Sequence, residues 1–434
     1  MIINESKFNA HWQNKQLSEL GSFRRGKSKH RPRNDPKLFE NGSFPLVQTG
    51  EVKDANLFIR KHNANYNEFG LAQSQIWQAN TLCITIAANI AETSLLGYPM
   101  CFPDSVVGFN AYPEKSSELF MHYVFTYIRE AIQNSASGSI QDNINIEYLT
   151  GLKFKIPEKD YQDKIVSVLS TLDKKIELNN RINAELEAMA KTLYDYWFVQ
   201  FDFPFDFAQG KPAANGKPYK SSGGKMFYNP TLKREIPEGW EWKPIEKLID
   251  VRDGTHDSPK PSESGQYLIT SKHLKDSGID FADAYLISDE DFEAVNKRSK
   301  VDEGDFLLSM IGTIGLSQWI MKIETPFAIK NIGLFKTSQS PDWADYIFSS
   351  VTSDIGKFYL KQNQSTGTSQ PYVTLGTLRS IPIIIPPDFI FQSFTEKVRP
   401  LHKAINVNVW ESQKLSQIRD WLLPMLMNGQ VTVK

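Results

Sequence analysis

Residues 169–198 read LSTLDKKIELNNRINAELEAMAKTLYDYWF, inside a stretch, 160–200, that contains no proline or glycine. Apolar residues recur there at Ile165, Leu169, Leu172 and Ile176, and again at Ile182, Leu186, Met189, Leu193 and Tyr196. These three- and four-residue spacings predict one long helix with an apolar seam, broken by a polar register shift near Asn179 and Asn180. A helix of some 40 residues is about 60 Å long, more than one small domain can enclose, so it reads as a spacer or pairing rod.

The rod has a second copy. Leu172, Ile176, Asn179, Leu186 and Leu193 fall on Leu401, Ile405, Asn408, Leu415 and Leu422, a shift of 229 residues. The same shift aligns SGSIQDNI (137–144) with TGTSQPYV (366–373), and Ile156-Pro157 with Ile385-Pro386. Further upstream, WQNKQLSEL from Trp12 matches WEWKPIEKL from Trp240 at a shift of 228. A register held over so many positions marks a tandem duplication with diverged halves. The second rod, over 391–427, carries Pro400 and Pro424, which are expected to interrupt or kink it.

Each half opens with about 150 residues of short β-rich runs separated by turn signals. FPLVQTG, NTLCITIA and KFKIP are the runs of the first half, and QYLITS, DFLLSMIG and SIPIII those of the second. The expected division is a first mixed domain over 1–158, a long helix over 159–200, a linker over 201–236, a second mixed domain over 237–388 and a C-terminal helix over 389–434. The linker is rich in Gly, Pro, Ser and Lys in its middle, which predicts a loop. The fold class is α+β: two mixed α/β domains separated by two long helices packed as an antiparallel coiled coil, related by a pseudo-twofold axis.

Composition narrows the function. The net charge is −1, so bulk electrostatics is excluded as a means of holding nucleic acid, and any such contact must come from local patches or partner subunits. The apolar runs are too short for a membrane span, and no export signal opens the chain. Cys83 and Cys101 lie in apolar contexts and read as buried free thiols of a cytoplasmic protein. The seven histidines show no metal-ligand spacing. No nucleophile elbow, methyltransferase tetrad or cofactor-binding glycine loop is present.

GSFRRGKS (21–28) satisfies the pattern of a phosphate-binding loop. Such a loop needs an apolar strand before it and a helix starting at its Lys-Ser. The preceding KQLSELGSF is polar, and Pro32 and Pro36 forbid a useful helix afterwards. A P-loop ATPase is therefore an unfavoured alternative. The same place holds RRGKSKHRPR (24–33), with Arg24, Arg25, Lys27, Lys29, Arg31 and Arg33 and no acid. It is either a solvated basic loop or a grip on DNA phosphates and base edges. The equivalent stretch VRDGTHDSPKP offers Arg252, Thr255, His256 and Lys260, with Asp253 and Asp257 diluting its charge.

Further candidates recur at matching places in the two halves. Ser139 and Gln141 in one and Thr368 and Gln370 in the other occupy hydroxyl- and amide-rich loops, which are either turn networks or uncharged DNA contacts. Gln48 and Thr49, and Ser271 and Lys272, each follow a β-run. Asn179 and Asn408 either pair in the rod seam and fix its register or lie exposed at a break. Leu186, Met189, Leu193, Trp197, Leu415, Ile418 and Leu422 are read as rod seam or partner dock, and the aromatic YDYWFVQFDF (194–203) as a plausible dock.

The order domain–rod–domain–rod, the rod sequence, IPEGWEWKPIEKL, DGTHDSPKP, QTGEV and SKHL together resemble the specificity subunit of type I restriction–modification enzymes over essentially the whole chain. The resemblance implies a non-catalytic subunit with two target-recognition domains that read an asymmetric, two-part DNA sequence. It also implies two methyltransferase subunits docked on the helices, then two motor-nuclease subunits, with no membrane association. This chain would bind no cofactor. S-adenosylmethionine would belong to the methyltransferase, and ATP and Mg to the motor-nuclease. The alternative of another class is a coiled-coil protein–protein scaffold, and a self-contained methyltransferase is a further one.

Overall fold

The computed structural model describes residues 3–137, 144–275, 278–365 and 370–433. The chain forms two units, one of Met1–Glu177 with Lys414–Lys434 and one of Leu178–Gln413.

In the first unit the run NTLCITIA yields the strand Leu82–Thr85, all four residues buried. It lies inside a five-stranded sheet ordered Gly21–Arg25, Val106–Ala111, Leu82–Thr85, Thr93–Leu96 and Phe58–Ile59. The pairs are antiparallel except the last, which is parallel. The helix Glu118–Ser137 lays Phe120, Tyr123, Val124 and Ile128 against Leu82, Ile84, Val107 and Phe109. Burial of this apolar surface is the main driving force for the unit. The repeated W…L entry is part of the same core: Trp12, Leu17 and Leu20 are buried, and Gln13–Gln16 pairs antiparallel with Lys153–Ile156.

The second unit repeats the plan. Glu241–Pro244 pairs antiparallel with Pro382–Ile385. Val251–Asp253, Ile332–Phe335, Phe306–Ser309 and Ser317–Trp319 form an antiparallel sheet in that order, the order of the first four strands of the other unit. A parallel pair, Gln266–Thr270 with Phe327–Lys330, adds a second sheet.

The first long helix runs Lys159–Tyr194 and ends in a wider turn at Asp195–Val199. The second runs unbroken from Asp388 to Met427, so Pro400 and Pro424 do not interrupt it. Each proline frees one carbonyl four residues back. Those carbonyls belong to Glu396 and Asp420, both exposed, where water can take the missing bond.

In the second unit the contacts between the helices run in opposite chain directions. Asn179 donates to Ser412 Oγ (3.2 Å) and Glu411 Oε2 (2.8 Å), Asn408 donates to Asn183 Oδ1 (2.8 Å), and Tyr194 packs on Phe394. Asn179 is fully buried, so the polar break lies in the seam; its Nδ2 also reaches the Asn408 carbonyl (3.5 Å), while the Asn408 side chain bonds Asn183. The buried positions Asn179, Asn183, Ala190, Tyr194 and Trp197 leave Met189, at 56% exposure, on the outer face. Ile418, at 46%, is likewise outside the seam of the first unit. Both depart from the seam expectation because one residue along a helix is a rotation of about 100°. Leu186, Leu193, Leu415 and Leu422 are half-buried.

The expected loop over 201–236 is ordered instead. Pro204–Asp206 pairs with Lys211–Pro212 and Lys217–Pro218, and Met226–Asn229 with Arg234–Pro237. Phe203 stacks between Tyr219 and Trp240, with ring centroids at 4.7 and 5.0 Å. Aromatics at every second position, from Phe201 to Phe207, supply an apolar face that the glycine, proline and lysine content of the segment hides.

Candidate nucleic-acid interface

In the first unit, residues 21–25 form an edge strand whose backbone pairs with residues 107–111. Its N–H and C=O groups are extended along a ladder, not curled around a phosphate, and only the short turn Pro36–Leu38 follows. That geometry removes the phosphate-loop reading. Arg24, Arg25, Lys27, Lys29, Arg31 and Arg33 are all exposed.

They are not equivalent. Arg24 lies over the Trp77 ring at 5.4 Å. Arg31 Nη1 donates to the carbonyls of Ser28 (2.6 Å) and His30 (2.8 Å). Arg31 and Arg33 both reach the carboxylate of Asp104, Arg33 at 2.6 Å. The His30 ring and the Lys37 amide hold the Asp35 carboxyl below its usual range. The loop is thus stapled by its own side chains, and Arg25, Lys27 and Lys29 are left without an acidic partner among the described residues. Gln48, exposed, caps the helix Thr49–Asp54.

In the second unit, Arg252 is held by Asp250 (2.6 Å) and the Arg298 carbonyl (3.1 Å), so its charge is largely spent inside the protein. Asp253 is buried and takes Arg298 and His256 (2.9 Å). The other ring nitrogen of His256 lies 2.9 Å from Asn331 Oδ1. Ser271 Oγ donates to the Asn331 carbonyl (2.8 Å) and accepts from the Met310 amide (3.3 Å). Thr255 Oγ1 accepts from the Asp257 amide. Arg252, Thr255, His256 and Ser271 therefore build the loop. Lys260 and Lys272 are exposed with no acidic partner among the described residues, and Gln370 is exposed. Ser139, Gln141 and Thr368 lie outside the described residues.

One feature of both units escaped the sequence reading. Residues 85–92 and 309–316 form the same loop. Thr85 Oγ1 donates to the Asn89 carbonyl, and Ser309 Oγ to the Thr313 carbonyl. The Glu92 amide donates to Thr85 Oγ1 (3.0 Å), and the Leu316 amide to Ser309 Oγ (2.9 Å). Ala91 and Gly315 amides return to the carbonyls of Thr85 and Ser309. Ala88 and Ala91 take left-handed φ values of 60° and 61°, where the second unit has Gly312 and Gly315 at 76° and 92°. An L-residue pays roughly 1 kcal/mol or more for that conformation. The signal was an alignment of TIAANIAETS (85–94) with SMIGTIGLSQ (309–318) at a shift of 224 rather than 229.

This loop gathers the other candidates. In the first unit the Ile86 amide bonds Ser105, the neighbour of Asp104, and the Ile144 amide bonds the Ile86 carbonyl. In the second, the Met310 amide bonds Ser271, the Gly312 amide bonds Pro371 and the Val373 amide bonds the Met310 carbonyl. In each unit these bonds bring the rigid turn beside a neighbouring loop, Ser105 in the first unit and Ser271 in the second. Among the described residues, no group of three or more His, Cys, Asp or Glu is placed to hold a metal, and no helix is long and apolar enough to cross a membrane.

Both units carry exposed lysines in these loops, with no acidic partner among the described residues, side chains of the kind that contact DNA phosphates. Residues 9–188 match the family model described as the type I restriction modification DNA specificity domain. The chain is 25% identical to the type I restriction enzyme HindI specificity subunit of Haemophilus influenzae, over 92% of this chain and 97% of that one. It is 23% identical to the MjaIX specificity subunit of Methanocaldococcus jannaschii, over 98% and 94%. The type I restriction–modification S subunit from M. genitalium shares the fold, with a TM-score of 0.52 at 14% identity, over 98% of this chain and 99% of that one. Residues 9–188 thus resemble a type I restriction modification DNA specificity domain, and nearly the whole chain is similar to type I restriction enzyme specificity subunits.

Proposed function

We propose that this chain is the non-catalytic subunit that gives a type I restriction–modification complex its DNA sequence specificity. Each unit reads one part of an asymmetric, two-part target. The observation that carries the reading is that one fold with one exposed face occurs twice in a single chain, with different side chains at matching places. Two copies of a reader on one polypeptide suit two half-sites at a set separation.

The long helices are proposed to form an antiparallel coiled coil that holds the units apart about a pseudo-twofold axis. Their outward apolar residues, Met189 and Ile418 among them, suit docking of two methyltransferase subunits, to which two motor-nuclease subunits then join. The chain itself binds no cofactor in this scheme. S-adenosylmethionine serves the methyltransferase, and ATP and Mg the motor-nuclease, all in the cytoplasm.

The test is co-expression with the methyltransferase subunit of its own system, followed by genome-wide mapping of modified adenines. A two-part motif with a fixed gap is expected, and exchange of residues 1–158 changes one part only. A single continuous motif, or methylation by the purified chain alone, overturns the proposal.

A further inference from the structure

The twin loops end in apices whose groups are unpaired among the described residues. The carbonyls of Asn89 and Thr313 are clamped by the Thr85 and Ser309 hydroxyls, which fixes the main chain at both points. Among the described residues, neither the amide N–H nor the side chain of Asn89 or Thr313 has a hydrogen-bond partner. At each apex an N–H and a polar side chain are thus unpaired among the described residues, on a main chain that is fixed.

The framework around them is the same in the two units down to single hydrogen bonds, yet the apex residue differs. In the first unit the framework is kept although Ala88 and Ala91 must adopt a left-handed backbone that glycine would adopt without strain. Backbone strain at a half-buried polar turn points to use of the turn. The stapled Arg31 and Arg33 lie beside one loop, through Asp104 and Ser105, and His256 beside the other, through Asn331 and Ser271.

We infer that Asn89 and Thr313 are specificity-determining residues, one for each part of a two-part DNA target. The inference rests on the reading of the chain as a DNA-recognition subunit. An asparagine amide both donates and accepts, the pattern that adenine presents in the major groove, whereas a threonine offers one hydroxyl and a methyl group that suits thymine. A common scaffold carrying different apex residues gives two readers of different words.

The test uses the full chain assembled with the methyltransferase subunits of its own system, selecting bound duplexes from a randomised DNA pool. Asn89→Ala is expected to weaken binding to the wild-type target on the order of 10-fold and to relax base preference in one part only. Thr313→Ala does the same in the other part. Asn89→Thr and Thr313→Asn keep a hydrogen-bonding side chain of similar size, guard against misfolding, and are expected to change the preferred base in the same parts. Preferences unchanged in all four variants, or equal weakening with both parts of the motif intact, overturn the inference. A wild-type complex that selects no two-part sequence overturns the recognition reading first, before any variant is measured.

Discussion

The six cations of residues 24–33 divide by structure into two groups, and the division has a measurable consequence. Arg31 and Arg33 share Asp104, and Arg24 lies over Trp77, whereas Arg25, Lys27 and Lys29 have no acidic partner among the described residues. If the three free cations sit on DNA phosphates, each releases close to one counterion on binding. The slope of log K against log salt then falls by about 0.9 per contact, or about 2.7 for three. Between 50 and 200 mM salt, the triple variant Arg25→Gln, Lys27→Gln, Lys29→Gln should therefore lose about 40-fold less affinity than the wild type. It should also bind more weakly at the low-salt end. Fluorescence anisotropy with a fixed duplex over a salt series reads both quantities, using the chain in complex with its methyltransferase. A control removes the same charge at Lys153, Lys164 and Lys174, exposed lysines outside the loop. An unchanged slope in the loop variant, or an equal fall in the control, refutes the assignment of these three side chains to phosphates.

Two further outcomes concern the framework. Lys336 is buried with the fully buried Asp305 and reaches Asp302 at 2.7 Å, so Lys336→Met leaves an uncompensated carboxylate and should cost about 3–5 kcal/mol in urea unfolding. Adding Asp305→Asn should restore part of that loss; no recovery would mean that packing, not charge, is at stake. His122 is buried against Thr93 Oγ1 (3.0 Å), and burial first, then Arg129 and Arg419, pushes its pKa down to about 3. The folded state holds it neutral while the unfolded chain takes up a proton below about 6.5. Its contribution is therefore complete above that value and is lost as pH falls towards about 3. His122→Gln should flatten the acid limb of unfolding midpoint against pH, and an unaltered limb would show that His122 does not set it.

The parts of the fold that follow from local rules were legible in the residues. A run without proline or glycine, with apolar residues every three or four positions, gave the helix Lys159–Tyr194. The β-rich runs of both halves became strands, because short apolar runs bounded by turn signals fit strands buried inside a sheet. The buried Trp12 and Trp240 entries were visible as a repeat. Local rules misled where a neighbour decides. Pro400 is tolerated because the carbonyl it frees belongs to an exposed residue, and the 201–236 segment is ordered by aromatic stacking onto Trp240. Neither is visible to a composition count.

The same limit applies to the candidate interface. Sequence alone determined that the chain is one domain–rod unit written twice and that residues 24–33 concentrate positive charge, since both are properties of order and type along the chain. Only the tertiary structure decided which of those charges remain available. Asp104, some seventy residues from the basic loop, consumes two of them, and Asp250 and the Arg298 carbonyl consume Arg252. Only the structure brought out Asn89 and Thr313 as matching apices. A hydrogen bond from Thr85 or Ser309 back to the turn is a matter of dihedral angles, and alanine and glycine can share a left-handed backbone while their letters differ. Charge and periodicity are inherited from sequence residue by residue, but availability for a partner is set by what the fold has already paired.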